Sequence, residues 1–140
     1  MRNDKAGKAM IEDAMIIAEE ARISFELGHY HRVIHKCQEA AELAVKGLFK
    51  YVGIEYPKSH ILGRVIKKEL SKRNILNREE LEKLAYISDM LSFDRQPSFY
   101  GAPDGTPASK LYDAEDATDA IEKTSWLIAK VKSLFRGVLS

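Results

Sequence analysis

The hydrophobic positions of this chain repeat at intervals of three and four residues from one end to the other. In the first segment this spacing predicts a helix of roughly residues 4–27, followed by Gly28, a residue type that often ends helices. The apolar stripe of this helix consists of Met10, Ala14, Ile17, Ala21 and Phe25. No segment alternates between apolar and polar residues as a half-buried strand does, so the chain is predicted to be all-α.

The second segment has a wider apolar stripe. It begins near His29 and Tyr30, continues to about Val52, and is followed by Gly53. Because the stripe covers a broad arc of the helix, we expect this helix to pack against neighbours on two sides.

Polar residues mark where the remaining helices begin. A short third helix is predicted from Pro57 and Ser59 to about residue 71. Asn77 and Glu80 form a capping-box pattern at the start of a fourth helix, and the last helix is predicted to begin near Asp113.

Three prolines and two glycines between about residues 95 and 111 predict a long loop without helix. The fold class is therefore an up-and-down antiparallel bundle of about five helices. We interpret residues 1–140 as a single helical domain.

Composition limits the classes of function. The chain has 22 Lys and Arg against 21 Asp and Glu, for a net charge of +1, so any contact with nucleic acid must be a local site. The single cysteine, Cys37, excludes an intramolecular disulfide and multi-cysteine zinc sites, and a lone thiol is typical of the cytoplasm. No apolar run is long enough to span a membrane, and no membrane partner is expected.

Two groups of polar residues on the second helix are candidates for chemistry. His31 and His35 are four residues apart, a spacing that can hold a transition metal, but a solvated helix face explains them better, and no metal is expected. Gln38, Glu42 and Lys46 also follow one another at steps of four. Lys46 is thus either half of a surface ion pair or a ligand for a phosphate.

The segment Asp94–Gly101 is the third candidate. Arg95 follows a helix end, where it is either a cation that complements the helix dipole or a bidentate ligand for a phosphate. Phe99 and Tyr100 are next to it and are able to stack on a base. No phosphate-binding loop, dinucleotide fingerprint or nucleophile motif is present, so no cofactor is expected.

Three stretches together resemble the HEPN domain family over nearly the whole chain. Residues 28–33 and 38–48 look like its helix-two signature, a turn followed by Gln-x-Ala-Ala-Glu-x-x-x-Lys. Residues 57–62, with Ser59 and His60, are similar to the family's entry to helix three. Arg95 and Tyr100-Gly101 then stand where the family has an Arg-containing motif before its last helix.

The resemblance implies a homodimer, a nucleotide or RNA ligand, and a nucleotidyltransferase-like partner in a toxin–antitoxin pair. Nuclease members of the family carry Arg, four to six residues, and then His. Here Tyr100 occupies the first such position after Arg95, and no histidine follows His60. Tyrosine transfers protons poorly at neutral pH, so we assign no catalytic residue and leave enzymatic activity open.

These observations lead to one hypothesis and two alternatives. The leading hypothesis is a dimeric module that binds nucleotide or RNA through Asp94, Arg95, Tyr100 and Lys46. One alternative is a metal-independent ribonuclease toxin that uses Arg95 with Tyr100 or a remote histidine. The other is a purely structural dimerisation module.

Overall fold

The computed structural model describes residues 3–135, and Met1, Arg2 and residues 136–140 of the predicted domain lie outside this range. The described residues contain helices and turns and no strand. The long helices are α1 (Asp4–Glu26), α2 (Tyr30–Val52), α4 (Arg78–Phe93) and α6 (Ala114–Ser133). Between them lie α3 (Gly63–Val65), which continues as a π-helical turn (Ile66–Leu70), the one-turn α5 (Pro97–Tyr100), and a 3₁₀ turn (Ala108–Lys110). The predicted all-α, five-helix bundle is confirmed.

The ends of the helices follow from local chemistry. Gly28 and Gly53 adopt the left-handed conformation that glycine tolerates, with φ of 75° and 81°. Asn77 accepts a hydrogen bond from the backbone N–H of Glu80 at 2.8 Å, and the Glu80 carboxylate accepts one from the N–H of Asn77 at 3.0 Å. Asp113 and Asp116 form the same reciprocal box at the start of α6.

Two predicted segments differ from the structure. The sequence predicts a third helix from Pro57, but regular helix begins only at Gly63, since Pro57 and Ser59 lie in turns closed by short-range hydrogen bonds. The prediction of a loop without helix over 95–111 is wrong for Pro97–Tyr100, which forms one helical turn. Pro97 occupies the first helical position, where its fixed φ favours the helix and its missing N–H costs nothing.

Helix α2 is the centre of the core. It packs against α1 and α6 and also contacts α4 and α5, as the width of its apolar stripe predicts. All apolar side chains of α2 are buried or half-buried within the chain. Helix α2 therefore offers no broad apolar face to a second protein molecule. Cys37 is among its buried residues, and burial raises the pKa of this thiol to about 11, so it stays protonated at neutral pH.

Helices α1 and α2 run antiparallel and approach closely at two glycines. A Cβ added to Gly7 would lie 2.7 Å from the carbonyl oxygen of Gly47. A Cβ on Gly47 would lie 3.1 Å from the Gly7 carbonyl oxygen. A side chain at position 7 would therefore force the two backbones apart, and one at position 47 would require its neighbours to shift by a few tenths of an ångström.

The described part of the chain has no helix with the length and hydrophobicity that crossing a membrane requires.

Candidate functional site

A cleft of about 380 Å³ lies along the polar edge of α2. Its wall is formed by α1, by α2, by the segment that precedes α3 and by Arg95, two residues after the C-terminal end of α4. The lining residues are Ile17, His35, Gln38, Glu39, Glu42, Leu43, Lys46, His60 and Arg95. We call this the Arg95 cleft.

Glu42 is the centre of a hydrogen-bond network in the Arg95 cleft. Gln38 Nε2 donates to its Oε1 at 2.8 Å, and Lys46 Nζ donates to its Oε2 at 3.0 Å. His60 Nδ1 lies 2.8 and 2.9 Å from the two carboxylate oxygens. Burial raises the pKa of the Glu42 carboxyl, but the bonds from Lys46, His60 and Gln38 outweigh it and lower the pKa below its ordinary value. Because Glu42 is then ionised at neutral pH, His60 carries a proton on Nδ1.

Lys46 is held in place from two sides. Besides its bond to Glu42, its ammonium group lies 5.5 Å from the centre of the Tyr56 ring. Only 16% of the side chain is exposed, so the charge lies in the wall of the cleft. One N–H of the ammonium group is used by Glu42, and two donors remain.

Arg95 lines the same cleft. It follows the Asp94 cap of α4 and precedes α5, and its side chain is half-buried. Within residues 3–135 the guanidinium forms no ion pair or hydrogen bond with another side chain. Its five N–H donors are therefore available to a ligand.

His35 links α2 to the turn that carries Arg95. Its Nδ1 lies 3.2 Å from the hydroxyl of Ser98, a fully buried residue of α5, and its ring centre lies 5.1 Å from that of Phe99. Burial lowers the pKa of His35; the nearby Glu39 carboxylate opposes this effect, and the charges of Arg32 and Arg95 add to it. His35 is therefore mainly neutral at pH 7.

Asp94 serves a different cleft. Its Oδ1 accepts a hydrogen bond of 3.0 Å from the hydroxyl of Tyr112, in a space of about 260 Å³ beside Asp116, Asp119 and Lys123. Burial raises the pKa of Asp94 even though Tyr112 donates to it. Burial and the Asp94 charge also raise the pKa of the Tyr112 hydroxyl. The two groups form a closed pair that ties the end of α4 to the start of α6.

Tyr100 does not line the Arg95 cleft. It is 77% exposed, and its ring is 4.8 Å from that of Phe99, which is 54% exposed. The following Gly101 has a φ of 88°, and a Cβ there would lie 2.5 Å from the carbonyl oxygen of Thr106. This glycine therefore sets the position of the two aromatic rings beside the cleft.

Of the four predicted binding residues, the structure brings Arg95 and Lys46 together, with Tyr100 at one side and Asp94 in another cleft. Sequence reasoning missed Gln38, Glu42, His35 and His60 as members of one site. Gln38 and Glu42 could have been found from the sequence, because they precede Lys46 at regular steps of four residues and so lie on the same face of the helix. His31, the other half of the predicted histidine pair, does not line the cleft. No group of three or more metal-binding side chains occurs in the described range.

The fold and the cleft define an all-helical domain with a polar site between its central helix and the turn before its last helix. The HEPN domain model matches residues 8–134, and the chain belongs to the HEPN domain family.

Two solved structures are similar to this chain. TT1696 from Thermus thermophilus is 22% identical with a TM-score of 0.77, covering 91% of this chain and 97% of its own; this likeness concerns the fold. ST0689, described as an archaeal HEPN homologue, is 26% identical with a TM-score of 0.73, covering 94% of this chain and 98% of its own. The comparison with curated proteins found no match.

Proposed function

We propose that this protein is a dimeric HEPN module that binds a phosphate of a nucleotide or RNA in the Arg95 cleft. The observation that carries the proposal is the half-buried Arg95 guanidinium, unpaired within the described residues, which shares one cleft with Lys46. A guanidinium in a partly desolvated cleft binds phosphate through two parallel hydrogen bonds.

The carboxylates of the cleft do not cancel this attraction. Glu42 is already satisfied by donors from Gln38, Lys46 and His60, so its charge is balanced within the network. Glu39 is more exposed and lies 3.5 Å from His35 Nε2. Of the Lys and Arg side chains that line the cleft, Lys46 is paired with Glu42, and Arg95 forms no ion pair within the described range.

The exposed rings of Phe99 and Tyr100 supply the second part of a nucleotide site. They lie at the side of the cleft that Arg95 occupies, and Phe99 is in contact with His35. Aromatic rings beside a cationic groove are the usual arrangement for binding single-stranded nucleic acid, because every base has a face that stacks.

The test is a titration with a short labelled RNA, followed by fluorescence anisotropy. Arg95→Ala removes a charge-assisted contact worth roughly 1.5–3 kcal/mol, which corresponds to about 10- to 150-fold in affinity. Arg78→Ala is the matched control, since Arg78 is 92% exposed on α4 and pairs only with Glu82 within the described residues. If Arg95→Ala binds RNA with the affinity of wild type, the Arg95 cleft is not the RNA-binding site.

The two histidines of the cleft favour a second candidate function, a metal-independent ribonuclease. Both histidines line the Arg95 cleft. His35 is mainly neutral at pH 7 and is able to accept a proton, and His60 is hydrogen-bonded to Glu42. Histidine is the side chain suited to proton transfer at neutral pH. Cleavage of labelled RNA that is lost in His60→Ala and retained in Tyr100→Phe would establish this candidate over simple binding.

The homodimer in this proposal uses an exposed apolar stripe on α4. Tyr86, Met90 and Phe93 follow one another at steps of four and three, with 57%, 37% and 64% exposed, and Arg95 comes two residues later. An isologous contact on this stripe brings two copies of Arg95 near one two-fold axis. Phe93→Glu is expected to give a monomer in light scattering, whereas Ile23→Glu on α1 leaves the dimer intact.

A nucleotidyltransferase-like partner in a toxin–antitoxin pair completes the proposal. The HEPN signatures on α2 and at Arg95 support it, and Tyr100 is exposed enough for a partner to reach its hydroxyl. Co-expression with a small nucleotidyltransferase encoded next to this chain, followed by co-purification, tests this part. Separate elution of the two proteins would contradict it.

A further inference from the structure

We propose that the ligand is an RNA strand of several nucleotides, which continues from the Arg95 cleft onto a second basic surface formed by Arg64, Lys67 and Lys68. We call this the α3 basic surface. The inference rests on the proposed function, because it extends the same site. It distinguishes an RNA strand from a mononucleotide, which the Arg95 cleft alone would accommodate.

The α3 basic surface is a concave feature. Arg64, Lys67 and Lys68 line a cleft of about 530 Å³ together with Gly63 and Asp89. Their spacing of three and four residues places them on one face of the helical segment, and all three are exposed.

Positive charge exceeds negative charge on this surface, with three cations against one carboxylate. Within residues 3–135, none of the three side chains forms an ion pair, whereas the next two cations, Lys72 and Arg73, both pair with Glu69. Asp89 is the one carboxylate lining the cleft, and its Oδ1 already accepts a hydrogen bond from the Gly63 N–H at 2.8 Å. In a protein with a net charge of +1, this is a local surplus of positive charge.

The backbone holds the surface in place. Ile66 and Leu70 are fully buried at the two ends of the π-helical turn that carries Lys67 and Lys68. A Cβ on Gly63 would lie 2.1 Å from Asp89 Oδ2, so glycine allows this segment to approach α4 closely. Single π-helical turns occur frequently at functional sites.

Two chain connections place the α3 basic surface beside the Arg95 cleft. His60 lines the Arg95 cleft and Gly63 lines the basic surface, and three residues of extended chain span at most about 11 Å. Asp89 and Arg95 are likewise six residues apart at the end of α4, about 9 Å at the helical rise. A short extended strand is long enough to bridge the two surfaces.

The combined surface favours RNA over an acidic protein. The exposed rings of Phe99 and Tyr100 offer faces on which bases can stack. The Arg95 cleft and the α3 basic surface offer repeated contacts to the phosphates of one strand. An acidic peptide would use the charges but not the rings.

The experiment compares a labelled octaribonucleotide with a labelled adenosine monophosphate by fluorescence anisotropy at several salt concentrations. The triple variant Arg64→Gln/Lys67→Gln/Lys68→Gln loses three phosphate contacts, each of which contributes about 0.7 to the slope of log affinity against log salt concentration, so the slope should be smaller by about 2. At 0.1 M salt the variant is then expected to bind the octamer about 100-fold more weakly. Its affinity for the mononucleotide is expected to stay unchanged. The control triple Lys5→Gln/Arg22→Gln/Lys132→Gln removes the same charge at exposed positions outside both surfaces and should leave the slope unchanged.

The results separate the two proposals. If the triple variant binds the octamer as wild type does while Arg95→Ala weakens both ligands, the extended strand is wrong and the proposed function stands. If Arg95→Ala changes neither ligand, the proposed function itself fails. Equal losses in the control triple would overturn the inference in favour of a general charge effect. A parallel titration with labelled polyglutamate tests for an acidic protein partner, and a loss in the triple variant that is confined to polyglutamate would overturn the inference in favour of that partner.

Discussion

Arg95 and Asp94 are adjacent in the chain but line two different clefts. The two clefts differ in whether their polar groups have hydrogen-bond partners. In the Asp94 cleft, the carboxylate and the Tyr112 hydroxyl complete each other across 3.0 Å. In the Arg95 cleft, the carboxylate of Glu42 is satisfied by three donors, and the guanidinium has no partner among the described side chains. A closed pair stabilises the fold, whereas an open cation is available to a ligand. Adjacent residues of one motif thus have separable roles, and the predictions below test that separation.

The largest effect is expected from the segment that joins the two clefts. Gly101→Ala places a Cβ 2.5 Å from the Thr106 carbonyl oxygen at a φ of 88°, which should lower the free energy of unfolding by about 3 kcal/mol. Gly105→Ala, with a φ of 93° but no neighbour within 4 Å, is the control and should cost about 1 kcal/mol. Urea unfolding measures both, and equal losses would show that the contact with Thr106 does not matter.

A change inside the Arg95 cleft is expected to increase binding. Glu42→Gln keeps the shape of the side chain but removes a negative charge from the network with Lys46 and His60. The affinity for RNA should then rise by up to about tenfold, or about 1.4 kcal/mol. The matching change Glu82→Gln, on the exposed surface of α4, should leave the affinity as it is. A weaker complex in Glu42→Gln would mean that this carboxylate contacts the ligand directly.

The Asp94 cleft should respond in stability and not in binding. Asp94→Ala leaves the Tyr112 hydroxyl without its acceptor and is expected to cost about 1 kcal/mol of stability. RNA affinity should remain within about twofold of wild type. Asp119→Ala removes an exposed partner of Lys123 in the same cleft and should cost only a few tenths of a kcal/mol. A large loss of RNA affinity in Asp94→Ala would make Asp94 a ligand-binding residue, as the sequence alone predicts.

The smallest effect concerns acid stability, where the two clefts should have opposite signs. Folding lowers the pKa of Glu42, so its contribution is complete above its ordinary pKa of 4.5 and is lost as the pH falls through the folded value. Folding raises the pKa of Asp94 above its ordinary 3.8, so its protonation stabilises the fold as the pH falls through the raised value. As the pH is lowered from 7 to 3, the urea midpoint of Glu42→Gln should therefore fall less steeply than that of wild type. The midpoint of Asp94→Asn should fall more steeply than that of wild type. Parallel profiles would contradict both assignments.

Local chemistry explains which parts of the fold were predictable. The capping boxes at Asn77 and Asp113 and the glycines after α1 and α2 act within three or four residues, so a short window of sequence contains the whole interaction. The start of the third helix is different. Local turns at Pro57 and Ser59 delay it, and at Gly63 the backbone N–H donates to Asp89, 26 residues away, a contact that no local pattern records.

The same distinction applies to the Arg95 cleft. Arg95 and Lys46 were recognisable as cations beside predicted helix surfaces, but their convergence depends on how α2 meets the end of α4. His60 joins the cleft through a bond to Glu42 across 18 residues, and His35 meets Ser98 across 63. Asp94 and Arg95 line different clefts, and the bond that Asp94 accepts from Tyr112 spans 18 residues.

The close approach of Gly7 and Gly47 has a consequence for how a ligand enters. Gly47 follows Lys46 directly, and the α1 backbone is in contact with it, so this part of α2 has no room to move toward α1 when the cleft fills. The α2 wall is therefore fixed in its binding geometry before the ligand arrives, which lowers the entropy lost on association. Conformational adjustment falls to the Arg95 turn and the segment around His60. Backbone amides there should gain protection from hydrogen exchange on binding, while those of α2 near Gly47 exchange slowly with or without ligand.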